Sequence, residues 1–257
     1  MPRFDVITLV PELFGPHLSL GVTRRAFESG AVQVRLWPLR EHAQGPYRRV
    51  DDRPFGGGPG MVMLAEPLHQ CIQAIRSDRG VHDGAPLIHF TPTGRPLTQS
   101  LVRELAQGPG ALLLCGRYEG VDQRLLDRHR ALDISVGDFV LSGGDLPALV
   151  LMDAVARLQP GVLHDPSSHE QDSFEGDGLL EGPHYSRPEV WPQGESAQAV
   201  PAVLVSGHHG DIQRWRRAQA LEITARRRPD LIEAARAAGR LSADDEEVLA
   251  ALYNRGF

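Results

Sequence analysis

Short apolar runs alternate with helical periodicity through the first part of the chain. Strand-like runs fall at Phe4 to Val10, Val32 to Leu36, Leu87 to Phe90 and Ala111 to Cys115, each short and apolar enough for a strand buried in a sheet. Between them Leu64, Leu68, Cys71, Ile72 and Ile75 recur at helical spacing, as do Leu101, Val102 and Leu105. Each set forms one apolar stripe able to cover a sheet face. Asp145 is placed to cap a further helix, with Pro147 in its first turn and Leu149, Met152, Val155 and Ala156 as its buried stripe. The alternation predicts an α/β domain around a mostly parallel sheet, closing near Leu158.

From Pro160 to Gly194 the pattern collapses into Gly, Pro, Ser, His and acidic residues. That is too long for an ordinary connection inside a compact domain and predicts a lid or an interdomain linker. A short apolar segment, Ala202 to Ser206, is followed by helical sequence through Trp215, Leu221, Ile223, Leu231 and Leu249. The expected organisation is a first domain over 1–160, a flexible linker and lid over 161–194, and a small helical domain over 195–257. No internal repeat interrupts it.

Length and composition fit that division, since 257 residues with 41% apolar content can bury a large core beside a smaller one. The first apolar run, Ile7 to Val10, is too short for a signal peptide or a membrane span, so a soluble protein is expected. Cys71 and Cys115 each lie in an apolar pattern, which predicts buried thiols, no disulfide and a reducing, cytoplasmic setting. A net charge of -6 weighs against a phosphate-bearing partner. Yet between Asp211 and Arg240 eight arginines, including Arg214, Arg216, Arg217 and Arg226 to Arg228, face four acids. This region is either a phosphate-gripping surface or a solvated helix face with local ion pairs.

The glycine-rich segments divide into two kinds. Gly56-Gly57-Gly58-Pro59-Gly60 precedes the helical pattern from Met61 to Arg76, but no Lys-Ser or Lys-Thr follows, which argues against a nucleoside triphosphate P-loop. It is a tight turn or a backbone cradle. Three other loops follow predicted strands: Thr91-Pro92-Thr93-Gly94, Gly116 to Gly120, and Ser135 to Asp145 with its Gly143-Gly144 pair. Ligands of open α/β sheets collect beyond the C-terminal strand ends. Together these loops can build one pocket whose backbone groups read a purine edge and whose walls include Leu141 and Pro147. Glu119, Asp138 and Tyr118 are pocket candidates or plain turn residues.

His164, Asp165, His169, Glu170, Asp172 and His184 suggest metal ligands. Without a His-Glu-x-x-His arrangement, and with His164 to His169 off any helix-face spacing, a catalytic metal site is disfavoured. The adjacent His208 and His209 read as solvent or hydrogen-bonding residues. Asp172 can act as a general base or merely cap a turn. Arg157, near the end of the first domain's last helix, either complements that terminus or faces a developing anion.

These pieces resemble the bacterial tRNA guanine-N1 methyltransferase family, within the knotted SPOUT class, over nearly the whole chain. The resemblance rests on VDDRPFGGGPGM at Val50 to Met61, LCGRYEGVD at Leu114 to Asp122, SVGDFVLSGGDLPA at Ser135 to Ala148, QDSF at Gln171 to Phe174 and PHYSRPEV at Pro183 to Val190. It implies a trefoil knot in the first domain and a homodimer with active sites shared between subunits. It implies S-adenosyl-L-methionine held by His89, Phe90, Thr91, Pro92 and Gly94, by Gly116, Arg117, Tyr118 and Glu119, by Ser135, Val136, Gly137, Asp138, Phe139, Val140 and Leu141, and by Gly143, Gly144 and Pro147. The chain departs at Thr93, where relatives commonly carry Gln, and at Phe139, where many carry Tyr.

By the same resemblance Asp172 removes the proton from guanine N1, Arg157 stabilises charge at O6, and the target is guanosine 37 of tRNA, preceded by another guanine. Arg214, Arg216 and Arg217 are then the candidates for gripping RNA. A Mg2+ ion is admitted as well, with no ligand cluster to place it, and no membrane is involved. Two competing readings are a non-enzymatic RNA-binding protein and a methyltransferase acting at another RNA position.

Overall fold

The computed structural model describes residues 1–80, 83–163, 172–191 and 197–254. The chain divides into two compact units, Met1–Pro166 and Ser167–Phe257. In the first unit the order is β1 (Arg3–Thr8), α1 (Gly15–Ser19), α2 (Arg24–Glu28), β2 (Gln33–Pro38), β3 (Asp51–Asp52), β4 (Val62–Met63) and α3 (Ala65–Arg79). There follow β5 (Leu87–Pro96), α4 (Gln99–Gln107), β6 (Gly110–Leu114), α5 (Gln123–His129), β7 (Leu132–Ser135) and α6 (Asp145–Ala156). Five strands form a parallel sheet in the order β2-β1-β6-β5-β7.

Successive strand residues point to opposite faces, and the core follows that alternation. Phe4, Val6, Ile88, Phe90, Ala111 and Leu113 pack on one side with the stripes of α4 and α6. Ile7, Leu87, Leu112 and Leu114 pack on the other with Leu68, Ile72 and Ile75 of α3 and Leu125 of α5. Both faces are covered, as a parallel sheet requires. Cys71 and Cys115 are buried and unpaired, and burial, assisted by nearby carboxylates, pushes the Cys71 thiol up to about 12.

One charge sits inside this apolar layer. Asp5 is fully buried and accepts hydrogen bonds from Arg79 Nη1 at 2.6 Å, Arg3 Nη2 at 2.7 Å and Trp37 Nε1 at 2.7 Å. Arg79 ends α3 and also donates to the Arg3 and Pro109 carbonyls, tying that helix to the start of β1 and to the turn before β6. Removing one partner of a buried pair strands the other. Arg79→Ala is expected to destabilise the first unit by about 3 kcal/mol, as read by urea unfolding; a loss below about 1 kcal/mol would mean Arg3 and Trp37 suffice.

Three expectations from the sequence need correction. The α3 helix begins at Ala65 and not at Met61, because Val62 and Met63 pair antiparallel with Asp52 and Asp51. Asp145 does not cap α6: Gly144 is the N-cap, without a side-chain bond, and the Asp145 carboxylate is turned elsewhere. Its helix buries Ala148, Leu151, Met152, Val155 and Ala156, while Leu149 is only partly buried.

The second unit carries β8 (Val190–Trp191), β9 (Gln198–Ala199), α7 (Ala202–Val205), α8 (His209–Arg227), α9 (Pro229–Ala237) and α10 (Ala243–Tyr253). Pro229 starts α9 at a position whose amide would be unpaired anyway. Ser242 and Asp245 form a capping box at the start of α10. The core is Leu221, Ala225, Ile232, Ala235 and Leu249, joined by Leu179 from the glycine-rich stretch. That stretch, read from composition as linker, is therefore packed into the helical unit at Leu179.

Candidate functional site

The C-terminal ends of β5, β6 and β7 build a cavity in the first unit. Phe90 and Arg95 both pair with Ile134 of β7, so the residues between them leave the ladder and project as a loop. Gly94 lies where that loop rejoins β7, and a Cβ there would overlap the Asp133–Ile134 backbone. The loop after β6 is held from below by the segment following the glycine cluster. Glu119 N donates to Met61 O at 3.0 Å and Met63 N to Gly120 O at 2.9 Å. Gly60 passes so close that a side chain there would overlap Glu119. The glycine cluster thus braces a pocket loop, an architectural part that its local sequence left open.

The third loop closes on the second through glycine. Gly144 N donates to Gly116 O at 2.9 Å, and Gly143 bridges to Arg117. A Cβ on Gly144 would stand 2.9 Å from Cys115 Cα, and one on Gly143 2.8 Å from Gly116 O, so neither loop could approach with larger residues. Ser135 Oγ and the Gly137 backbone exchange hydrogen bonds at 3.1 and 3.2 Å, folding the start of the loop back. The cavity these loops line is about 320 Å³ and open to solvent on one side.

Of the residues expected to hold cofactor, all line this cavity except Gly94 and Asp138. Gly94 is consumed by the β5–β7 crossing, and Asp138 is exposed at the loop tip. Gly120, Ile134 and Ser142 line it too. Gly120 and Ser142 lie inside motifs already singled out, whereas nothing in the pattern marks Ile134. Phe139 is 55% exposed.

The Arg117 guanidinium in the cavity wall is paired with a buried carboxylate. Asp145, 1% exposed, accepts from Thr8 Oγ1 at 2.6 Å, from Arg117 Nε at 2.8 Å and from Arg117 Nη2 at 2.7 Å. It thereby pins the β6 loop to the end of β1 and to the start of α6. His89 Nδ1 lies 2.9 Å from Asp133 Oδ1. An anionic diphosphate would have to displace Asp145 from Arg117 to gain a cation there.

Arg157 lies outside this cavity. It is the C-cap of α6, whose N-terminal end lines the pocket, and twelve residues of helix put about 18 Å between those ends. Asp172 belongs to the second unit, where it opens a compact turn: Glu175 N donates to Asp172 O, Gly178 N to Glu175 O and Phe174 N to Leu179 O. It lines a second cavity, about 460 Å³, with Glu181, His184, Arg216 and Arg217.

The basic helices carry less uncompensated charge than their sequence window suggests. Arg214 pairs with Asp211, Arg226 with Glu222, Arg228 with Asp230 and Arg236 with Glu246. Arg217 bonds Asp177 and Asp245 and is partly buried, whereas Arg216 is exposed. His208 and His209 are exposed at the start of α8. His164, Asp165, His169 and Glu170 lie outside the described residues, among which no three His, Cys, Asp or Glu side chains gather as a metal site.

The chain matches the model of the tRNA (guanine-1)-methyltransferase TrmD family over residues 2–234. It is similar to tRNA (guanine-N(1)-)-methyltransferase of Leptothrix cholodnii, 67% identical over 97% of this chain and 99% of the relative. The protein of that name from Paracidovorax citrulli is 64% identical over 97% and 98%, and that from Stenotrophomonas maltophilia 57% over 90% of each. The chain belongs to this family. Membership places the parallel sheet and its three glycine-closed loops in the SPOUT class of α/β methyltransferases. Among the described residues, no helix of this family member is long and apolar enough to cross a membrane.

Proposed function

We propose that the protein transfers the methyl group of S-adenosyl-L-methionine to N1 of a guanine in tRNA, at guanosine 37. The observation that carries this reading is the glycine-closed cavity at the ends of β5, β6 and β7, in a chain of this family. Its walls fit the cofactor. Backbone groups of the 91–94, 116–120 and 135–144 loops suit an adenine edge, Leu141 and Pro147 offer apolar contact, and Glu119 suits a cation better than a phosphate. Bound there, the cofactor supplies an electrophilic sulfonium methyl.

Guanine N1 carries a proton and is a poor nucleophile until that proton leaves. In this reading Asp172 accepts it, and Arg157 neutralises charge developing at O6. The pocket loops orient the acceptor of the methyl against its donor. Arg157, about 18 Å of helix away from the pocket end of α6, serves the cavity of a second copy. A homodimer is supported by Leu146 and Val150, apolar positions one turn apart on α6 that stand 47% and 53% exposed. The knotted domain, the lid and the helical RNA-binding domain are proposed over the boundaries expected from sequence, with Arg214 and Arg216 as the RNA contacts of α8. The two buried, unpaired thiols suit the cytoplasm. The described residues hold no group of three His, Cys, Asp or Glu side chains that would place a Mg2+ ion.

The test is calorimetric titration with S-adenosylmethionine, followed by mass mapping of tRNA methylated by the purified protein. Binding and a methyl group on guanosine 37 are expected. No binding with or without tRNA would leave a non-enzymatic RNA-binding protein, and a methyl group mapped elsewhere would reassign the target.

A further inference from the structure

We infer that Arg217 is a positioning residue that clamps the Asp172 turn onto the helices beneath it, and does not grip RNA. The inference rests on the reading of Asp172 as the base. It starts from the direction in which Arg217 faces. On α8, Arg217, Leu221 and Thr224 are spaced by four and three residues, which places them on one side of the helix. Leu221 is in the core, and Thr224 is fully buried. Thr224 Oγ1 accepts from Leu180 N at 2.9 Å, at the end of the Asp172 turn. Arg217 therefore stands on the face that receives this turn, while Arg214 and Arg216 stand exposed.

Its guanidinium joins two carboxylates of different duties. Asp177 lies inside the turn, where its Oδ1 accepts from Leu179 N at 3.2 Å and its Oδ2 accepts from Arg217. Asp245 lies in the capping box of α10 and accepts from Arg217 Nε at 2.7 Å and Nη2 at 2.9 Å. The fork geometry of arginine suits this bidentate contact. Hydrogen bonding to Arg217 holds the Asp245 carboxyl down at about 2, so that acid stays charged at neutral pH. A phosphate would have to compete with two anions already in contact. The chain from Arg217 through Asp177 to the Glu175 and Asp172 backbone instead fixes where the turn presents Asp172.

The two arms separate the roles. Asp177→Asn weakens the arm to the turn and leaves the Asp245 arm in place. In the full-length protein with saturating tRNA and S-adenosylmethionine, its single-turnover rate should fall about tenfold or more, since small misplacements of a reacting group are costly. tRNA affinity and its salt slope should stay within about twofold. Arg217→Ala should do the same, with partial rescue by Arg217→Lys. In an Asp172→Asn background, Asp177→Asn should add no further loss.

An Arg217→Ala protein that bound tRNA about tenfold more weakly, with its salt slope reduced by about one, would make Arg217 an RNA contact and overturn the inference. A normal single-turnover rate in Asp177→Asn would also overturn it. Should Arg217→Ala fail to fold, Asp177→Asn decides alone. If Asp172→Asn itself kept a normal rate, the base assignment would fall instead, a result distinguishable from either.

Discussion

Asp172→Asn should lower the single-turnover rate of methyl transfer by about two to four orders of magnitude, the range general-base catalysis usually contributes. The substitution keeps the shape of the side chain and removes its capacity to hold a proton. Binding of tRNA and of S-adenosylmethionine should change far less, because an interaction used mainly in the transition state appears in the rate and not in ground-state affinity. Saturating both ligands isolates the chemical step from release. Asp172 opens a turn whose backbone is bonded at Glu175, Gly178 and Leu179, so the exchange is not expected to unfold the second unit. A near-normal rate constant in the variant across pH would send the N1 proton to another residue or to water.

How much of this was legible in the sequence depends on the range of the interaction. The sheet and its covering helices were legible because short apolar runs and helical stripes are local, and the residues expected at Leu68, Ile72, Val102 and Val155 are core residues in the structure. The short strand β7 was named only through the loop that follows it, since Asp133 interrupts its apolar run between Leu132 and Ile134. Leu179 was hidden in a glycine-rich stretch whose composition says linker. The charge balance of the basic window of α8 and α9 was not legible for a different reason: Asp177, Asp245 and Glu246, which neutralise Arg217 and Arg236, lie outside it. The pocket loops were legible as loops, because strand ends and glycines mark them. That Gly94 would be spent on a strand crossing was not, because only the approach of β7 reveals it.

Asp145 shows the same limit at the pocket itself, and its loss should be felt in both binding and stability. Read locally, it begins a helix, and a carboxylate in the first turn does suit the helix dipole. In the fold its partners are Thr8, 137 residues away in sequence, and Arg117, 28 away. Asp145→Ala leaves the Arg117 guanidinium without its counterion inside the cavity wall and Thr8 Oγ1 without its acceptor. Breaking one side of such a buried pair costs about 3–5 kcal/mol. Part of that loss should appear as a lower unfolding midpoint, and part as a loosened Gly116 loop, which Arg117 no longer ties to β1 and α6. Affinity for S-adenosylmethionine is expected to fall about a hundredfold, equivalent to roughly 2.7 kcal/mol. Thr8→Val provides the control: it removes the hydrogen bonds that Thr8 Oγ1 donates to Asp145 and accepts from Val10 N, about 1 kcal/mol each, and keeps the ion pair, so cofactor affinity should stay within a few-fold. Calorimetric titration beside urea unfolding of both variants separates the two effects. Wild-type affinity in Asp145→Ala would show that the glycine contacts of Gly143 and Gly144 hold the pocket closed without the carboxylate.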